Sequence, residues 1–334
     1  MPTIYDIARR AGVSAGTVSR ALSRPEKVLP ATRKRIEQAA VALGYVPNAA
    51  ARTLKTQRTG KILVTVPDIA NPFFARILQG AEEAAQSAGY AVLLGDTQHQ
   101  PEREERYAQM LRRNEADGLI VLGHRLPPTA REIVEQFGTA APVVNGCEFD
   151  PALGIPSVHI DNAAAACAAM EHLYGLGHER IVVIGGPADN PLHQQRLEGA
   201  RAAARARKRL RQLTIAPGDF SVESGYAAAT RLLALSPAPT AAFCFSDQMA
   251  LGALAACRDL GFRVPDEFSI VGFDDLASSR YLSPPLTTIA QPMREIGIRA
   301  VNLLLAILQD IEVPHQQTLD FSLMLRGSTA APAS

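Results

Sequence analysis

The residues able to do chemistry in this 334-residue chain are unevenly placed. Residues 1–60 hold 11 Lys and Arg against 3 Asp and Glu, and the remainder holds 23 against 30. A cationic front on an acidic rear is the charge pattern of a nucleic-acid-binding head on a body with another task. Within the front, Arg20 can offer two parallel N–H donors to the O6 and N7 edge of guanine. Leu54 stands between Arg52 and Lys55, an apolar wedge among cations that suits insertion into a minor-groove base step. An ordinary linker with a stray Leu is the plainer alternative for that segment. In the rear, Asp68, Asp161, Asp247 and Asp274 each follow an apolar run that reads as a strand. One such Asp commonly caps the next helix. Four of them favour a shared polar cleft.

Other chemistries lack their residues. Cys147, Cys167, Cys244 and Cys257 form no CxxC pair, so buried reduced thiols are expected rather than a zinc site or disulfides. The seven His show no HxxxH or HExxH spacing, so no metal is expected, although His124 could reach the cleft. There is no GxGxxG opening a helix and no GxxxxGK[ST], and no cofactor is expected. Six basic residues between Arg201 and Arg211 read as a solvated helix end before they read as a second nucleic-acid patch. No apolar run reaches the roughly 18 residues of a membrane span. The start, Met1 to Ile7, has no charged leader before an apolar core. A cytoplasmic protein with no membrane partner is the expectation. At 47% apolar and 20% charged residues, the composition is that of a globular protein and not a disordered one.

These residues need elements to hold them. Ile4, Ile7, Ala8 and Ala11 share one face of a short helix, and Gly12 frees the turn after it. Ser14 can cap a second helix over about Ala15–Ser23, with Val18, Ala21 and Leu22 inward and Ala15, Gly16, Ser19 and Arg20 outward. This is a helix-turn-helix, whose second helix enters the major groove. A third helix is expected from about Thr32 to Leu43, with Thr32 near its cap, Ile36, Ala39, Ala40 and Leu43 as its core stripe, and Gly44 as its stop. The segment from Pro47 to Lys55, with Asn48 as cap, favours helix but is shorter than the roughly 12–15 residues an isolated helix needs. It should fold only against a partner.

From residue 61 onward strands and helices alternate. Strands are expected at Ile62–Pro67, Ala91–Gly95, Gly118–Leu122, Pro142–Asn145, Ser157–Ile160, Ile181–Gly185, Ala241–Phe245 and Ser269–Phe273. Amphipathic helices fall between them, among them Phe74–Ala88, Arg103–Arg113, Ala163–Leu176, Ser221–Leu235 and Gln248–Leu260. The fold class is an all-α helix-turn-helix head plus an α/β body of two doubly wound lobes with parallel sheets. Ligands in such sheets bind beyond the carboxyl ends of the strands. Three domains are expected: 1–47 as the DNA-binding head, 48–60 as hinge helix and linker, and 61–329 as the effector-binding and dimerisation body.

Several stretches carry a resemblance. Thr3-Ile4-Tyr5-Asp6-Ile7-Ala8, Ala11-Gly12-Val13-Ser14, Thr17-Val18-Ser19-Arg20-Ala21-Leu22 and Leu43-Gly44-Tyr45-x-Pro47-Asn48 resemble the head of the LacI/GalR transcriptional regulators. The similarity runs to Pro285-Leu286-Thr287-Thr288-Ile289-x-Gln291-Pro292 and Arg326-Gly327-Ser328-Thr329, covering roughly residues 3–329. Ile62 to Ile69, Leu122 to Pro127, Val158 to Asn162 and Gly218 to Phe220 are most similar to a nucleoside-responsive repressor of that family.

The resemblance implies a homodimer on a near-palindromic operator, with body lobes like those of periplasmic binding proteins. It implies Ala15, Gly16 and Arg20 facing the bases, with Thr17, Asn48 and Lys55 beside the DNA and Leu54 as the inserted wedge. Ala15 and Gly16 are shorter than the side chains many relatives carry there. More of the sequence discrimination then falls to Arg20, to hinge insertion and to DNA shape.

For the body, Asn71-Pro72-Phe73-Phe74 resembles the segment of ribose-binding proteins in which Phe rings sandwich the sugar and Asn bonds a hydroxyl. The resemblance adds Phe220 as a third aromatic wall and Arg196 as the cleft cation. Asp274, Gln291 and Ser246 supply the second lobe's polar contacts. Flat apolar faces take C–H surface, and the polar groups satisfy hydroxyls that would otherwise be buried unpaired. The implied function is a transcriptional repressor, not an enzyme, whose operator affinity is set by a ribose-bearing effector such as cytidine. Free ribose or another sugar is the alternative effector. A nucleoside-processing α/β enzyme would need a nucleophile–base pair or metal, and a transport protein would leave the basic head unexplained.

Overall fold

Thr3 opens the head by a reciprocal bond. Its hydroxyl accepts from Asp6 N, and the Asp6 carboxylate accepts from Thr3 N at 2.9 Å, satisfying orphan donors of helix α1 (Ile4–Ala11). The computed structural model describes residues 2–45 and 58–332 and divides into two compact units at the Thr59–Gly60 junction. Gly12 follows α1 in the left-handed region at φ 66°, where a side chain would be strained. Ser14 caps α2 (Ala15–Ser23) by accepting from Thr17 N at 3.1 Å. The expected helix-turn-helix is therefore present.

Helix α3 (Pro30–Ala42) starts earlier than expected: Pro30 takes the first turn, where its fixed φ and missing N–H cost nothing, and Thr32 caps nothing. Ile7, Ala8, Ala11, Val18, Ala21, Ile36 and Ala39 make one small core. Leu22, expected inward, is 39% exposed, because α2 offers so small a core only the row through Val18 and Ala21.

The body holds two six-stranded sheets. The first runs β11 (Gln316–Leu319), β5 (Ser157–Ile160), β4 (Val143–Gly146), β3 (Gly118–Val121), β1 (Lys61–Val66), β2 (Ala91–Asp96), all parallel. The second runs β12 (Ser322–Met324), β10 (Thr287–Ala290), β9 (Ser269–Asp274), β8 (Ala241–Cys244), β6 (Ile181–Ile184), β7 (Thr214–Ala216), and only its edge pair β10/β12 is antiparallel. Each sheet reverses direction at its first strand, β1 in one and β6 in the other. A crevice opens at that switch point beyond the strand ends.

Strand period explains the layers. In β1, Ile62, Val64 and Val66 face a core shared with α4 (Pro72–Ser87) and α11 (Met293–Ile307), while Leu63 faces Ala108, Leu111 and Ala130 of α5 (Pro101–Arg112) and α6 (Pro128–Phe137). The second sheet packs with α7 (Asn162–Gly175), α8 (Pro191–Ala206), α9 (Val222–Leu233) and α10 (Asp247–Asp259). The chain passes between lobes three times: after β5, after β10, and between β11 and β12. No helix of the described residues is long and apolar enough to cross a membrane.

Candidate functional site

In the head, Gly16 and Arg20 are exposed on α2 and Ala15 and Thr17 are half-buried. Arg20 lies on the open face, free to reach outward. The Thr17 hydroxyl is bonded to Ser14 Oγ at 2.8 Å, so it belongs to the cap as much as to the surface. Asn48, Leu54 and Lys55 lie outside the described residues.

In the body, a cavity with about 610 Å³ of empty space, part of it open to solvent, lies beyond the strand ends of both sheets. After β1, Asn71 caps α4 by accepting from Phe73 N at 3.0 Å, which fixes the two rings that follow. Phe73 and Phe74 meet edge-on at 5.3 Å between centroids, and both line the cavity while packing in the core. From the second lobe, Phe220 lines it too, held at φ 68°, with its ring against Gly186 where any Cβ would overlap it.

Arg196 reaches the cavity from α8 and is 2% exposed. Its Nε donates to Asn162 Oδ1 at 2.9 Å, its NH1 donates to Phe245 O, and its guanidinium lies 3.7 Å from the Phe273 ring centroid. Burial lowers its pKa and the nearby Asp274 opposes that shift. Asp274 ends β9 at φ 122°. Burial pushes its carboxyl up to about 8, against the pull of Arg196. Ser246 lines the cavity while capping α10, accepting from Met249 N at 3.1 Å.

Of the expected effector residues, Asn71, Phe73, Phe74, Arg196, Phe220, Ser246 and Asp274 line one cavity. Gln291 does not line it; its Nε2 donates to Asp274 Oδ1 at 2.7 Å. The four strand-end Asp do not converge as expected. Asp68 and Asp274 line the cavity, but Asp161 is exposed and caps α7 by accepting from Ala164 N. Asp247 is buried and accepts from Leu276 N, Ser279 Oγ and Thr288 Oγ1, tying the loop after β9 to α10 and β10.

Glu148, His99, Leu192, Asp219 and Ser221 also line the cavity, and sequence reasoning gave none of them a role in it. Each stands a few residues past a strand end, so the topology was the signal. Glu148 is 4% exposed, and its Oε2 accepts from His124 Nδ1 at 2.8 Å and from Asn190 Nδ2 at 3.3 Å. His124 thus reaches the cleft through Glu148. Arg125 and Asp189 bridge the lobes nearby at 2.8 Å. Among the described residues no group of three His, Cys, Asp or Glu could hold a metal ion. The Cys147 thiol is pushed well up by burial, which leaves it unreactive. In the basic run, Arg207 pairs with Glu171 and Arg209 with Glu179.

What this arrangement can do is bind: rings on two sides, a fixed cation, and acceptors for hydroxyl and N–H groups. Comparison with known proteins adds a lineage. Residues 3–48 match bacterial regulatory proteins of the lacI family, and residues 170–329 match the periplasmic binding protein-like domain. The chain is 44% identical over 331 residues to the HTH-type transcriptional repressor CytR of Escherichia coli (strain K12), covering 98% of this chain and 96% of that one. It is similar to the lac repressor dimer bound to operator and the anti-inducer ONPF, at a TM-score of 0.89 and 30% identity over 99% of both chains. It is also similar to a LacI-family regulator from Enterococcus faecium with bound ribose, at a TM-score of 0.74 and 28% identity, covering 82% of this chain and 100% of that one.

Proposed function

The chain belongs to the LacI family and is a DNA-binding transcriptional repressor, and from that premise we propose that a small ribose-bearing effector in its cavity sets its grip on a near-palindromic operator. The effector is a nucleoside such as cytidine. The protein acts as a homodimer in the cytoplasm, where its DNA partner is. One observation carries the effector reading: Phe73, Phe74 and Phe220 wall a cavity that also presents buried Arg196 and Asp274. Flat rings fit the faces of a furanose or a base, and a fixed cation with acceptors fits hydroxyls.

The division of labour follows the domains. Residues 1–47 read the major groove through Ala15, Gly16, Thr17 and Arg20. Residues 48–60 form a hinge that orders only against its copy on DNA, placing Leu54 in the minor groove beside Asn48 and Lys55. Residues 61–329 bind effector and dimerise. The effector acts by favouring one lobe arrangement over another, which changes how the two hinge segments meet.

Thermal shift of the full chain against cytidine, uridine, adenosine, free bases and ribose tests the reading. Nucleosides are expected to raise the melting temperature more than ribose does. Free ribose as the effector, the reading favoured by the ribose-bound neighbour, requires ribose to equal or exceed them. No shift from any nucleoside or pentose overturns both.

A further inference from the structure

Glu148 is a buried carboxylate in the cavity wall, and its surroundings give it a definite use. Both protein donors that reach it, His124 Nδ1 and Asn190 Nδ2, go to Oε2. Oε1 is the oxygen left to accept from a bound molecule. His124 and Glu148 belong to the first lobe, whereas Asn190 caps α8 of the second, accepting from Leu192 N at 2.8 Å. The carboxylate is therefore held from both sides of the cleft and cannot swing away from an unwelcome ligand. Asp68, Asp219 and Asp274 add three more carboxyl groups to the lining, against the one guanidinium of Arg196. Two of that guanidinium's nitrogens already donate to Asn162 and Phe245.

We propose that Glu148 is a specificity-determining residue of this cavity, selecting uncharged ligands with a hydrogen-bond donor at Oε1 and rejecting ligands that carry a phosphate. The class of ligand is then a nucleoside and not a nucleotide; this rests on the effector reading above and narrows it. The physical basis is twofold. A donor on the ligand gains a charge-assisted bond to a carboxylate already fixed in place. A phosphate meets a buried like charge that water screens poorly.

Isothermal titration of the full chain with ribose, cytidine and cytidine 5′-monophosphate tests this, on wild type and on Glu148→Gln. Wild type is expected to bind cytidine at least about 100-fold more tightly than the monophosphate. Glu148→Gln keeps the shape of the side chain and removes its charge. It is expected to weaken cytidine and tighten the monophosphate, so that the ratio falls about tenfold. Glu148→Ala serves as a second variant should the first not fold. A wild-type ratio near one overturns the proposal without any variant, and so does a ratio that either folded variant leaves unchanged. If wild type binds neither ribose nor cytidine, the effector reading falls first and this inference with it. If cytidine binds but the ratio fails, only the role of Glu148 is lost.

Discussion

Gln291 Nε2 donates to Asp274 Oδ1 at 2.7 Å, across neighbouring strands whose register pairs Ala290 with Asp274. The bond lies behind the cavity wall, so Gln291 acts on a ligand only through the carboxyl it orients. It also fixes which face of Asp274 is offered. Oδ1 is occupied from the β10 side, while the residue itself lines the cavity.

Asp274 predicts a pH dependence of stability. Burial raises its pKa to about 8 and that of Asp247 to about 6, both above the model value of 3.8. Each group therefore keeps a proton in the folded state that the unfolded chain has released. Stability falls as pH rises from about 4 through the folded value, then levels off. Buried His159, His178 and His193, whose pKa values burial lowers, pull the other way below the model value of 6.5. The informative quantity is the difference from Asp274→Asn. The melting temperature of wild type minus that of the variant should fall between pH 5 and pH 8.5; a flat difference contradicts the buried, protonated carboxyl.

Gly186 predicts a separable effect on binding. A Cβ there would overlap the Phe220 ring, which must then tilt or withdraw. Overpacking of this kind costs on the order of 1–3 kcal/mol when nothing yields. Phe220 is half-buried at the cavity edge and can yield. Gly186→Ala should fold and dimerise normally yet bind effector about tenfold more weakly, as Phe220→Ala and Phe73→Ala should do more severely. Unchanged nucleoside-induced thermal shifts in Phe73→Ala or Phe220→Ala would remove those rings from the site.

Arg20 is the side chain of α2 best suited to base readout, because Ala15 and Gly16 carry little hydrogen-bonding capacity. Arg20→Ala should cost about 1–3 kcal/mol of operator binding and relax preference at the guanine it reads. Arg20→Lys should restore less than half of that, since an ammonium lacks the paired donors. Binding titrations on an operator and on single-base variants check both. Equal losses on every sequence would assign Arg20 to the phosphates instead.

What the sequence disclosed follows the range of the interactions involved. The Gly12 turn, the Ser14 cap and the row Ile7, Ala8, Ala11 depend on neighbours within four residues, and all stand as read. The alternating strands of both sheets were legible because apolar runs between helices leave few other folds. β11 and β12 were not, since Gln316–Leu319 and Ser322–Met324 are short edge strands whose pairing is decided across the lobes. The cavity residues after β1 and on α8 stood out by type. Glu148 did not, because its role depends on Asn190, 42 positions away on the other lobe. The strand-end Asp show the same limit from the other side. Asp161 and Asp274 look alike in sequence, and only tertiary contacts make one a surface cap and the other a buried wall.

Leu54 carries the proposed coupling between effector and operator. A helix as short as residues 48–55 is marginal alone in water. Ordering it therefore requires a partner helix and the groove together, and a wedge that unstacks a base step returns a few kcal/mol through the bent DNA it secures. Leu54→Ala removes the wedge and leaves the Ala-rich segment's helix propensity intact. The variant should remain a dimer by sedimentation, keep its effector-induced thermal shift, and lose operator affinity by more than tenfold. It should also lose the effector's influence on that affinity, because the step the effector biases no longer contributes. Wild-type affinity in a gel-shift titration, or a retained effector response, would move the coupling out of the hinge and into the way the bodies space the two heads.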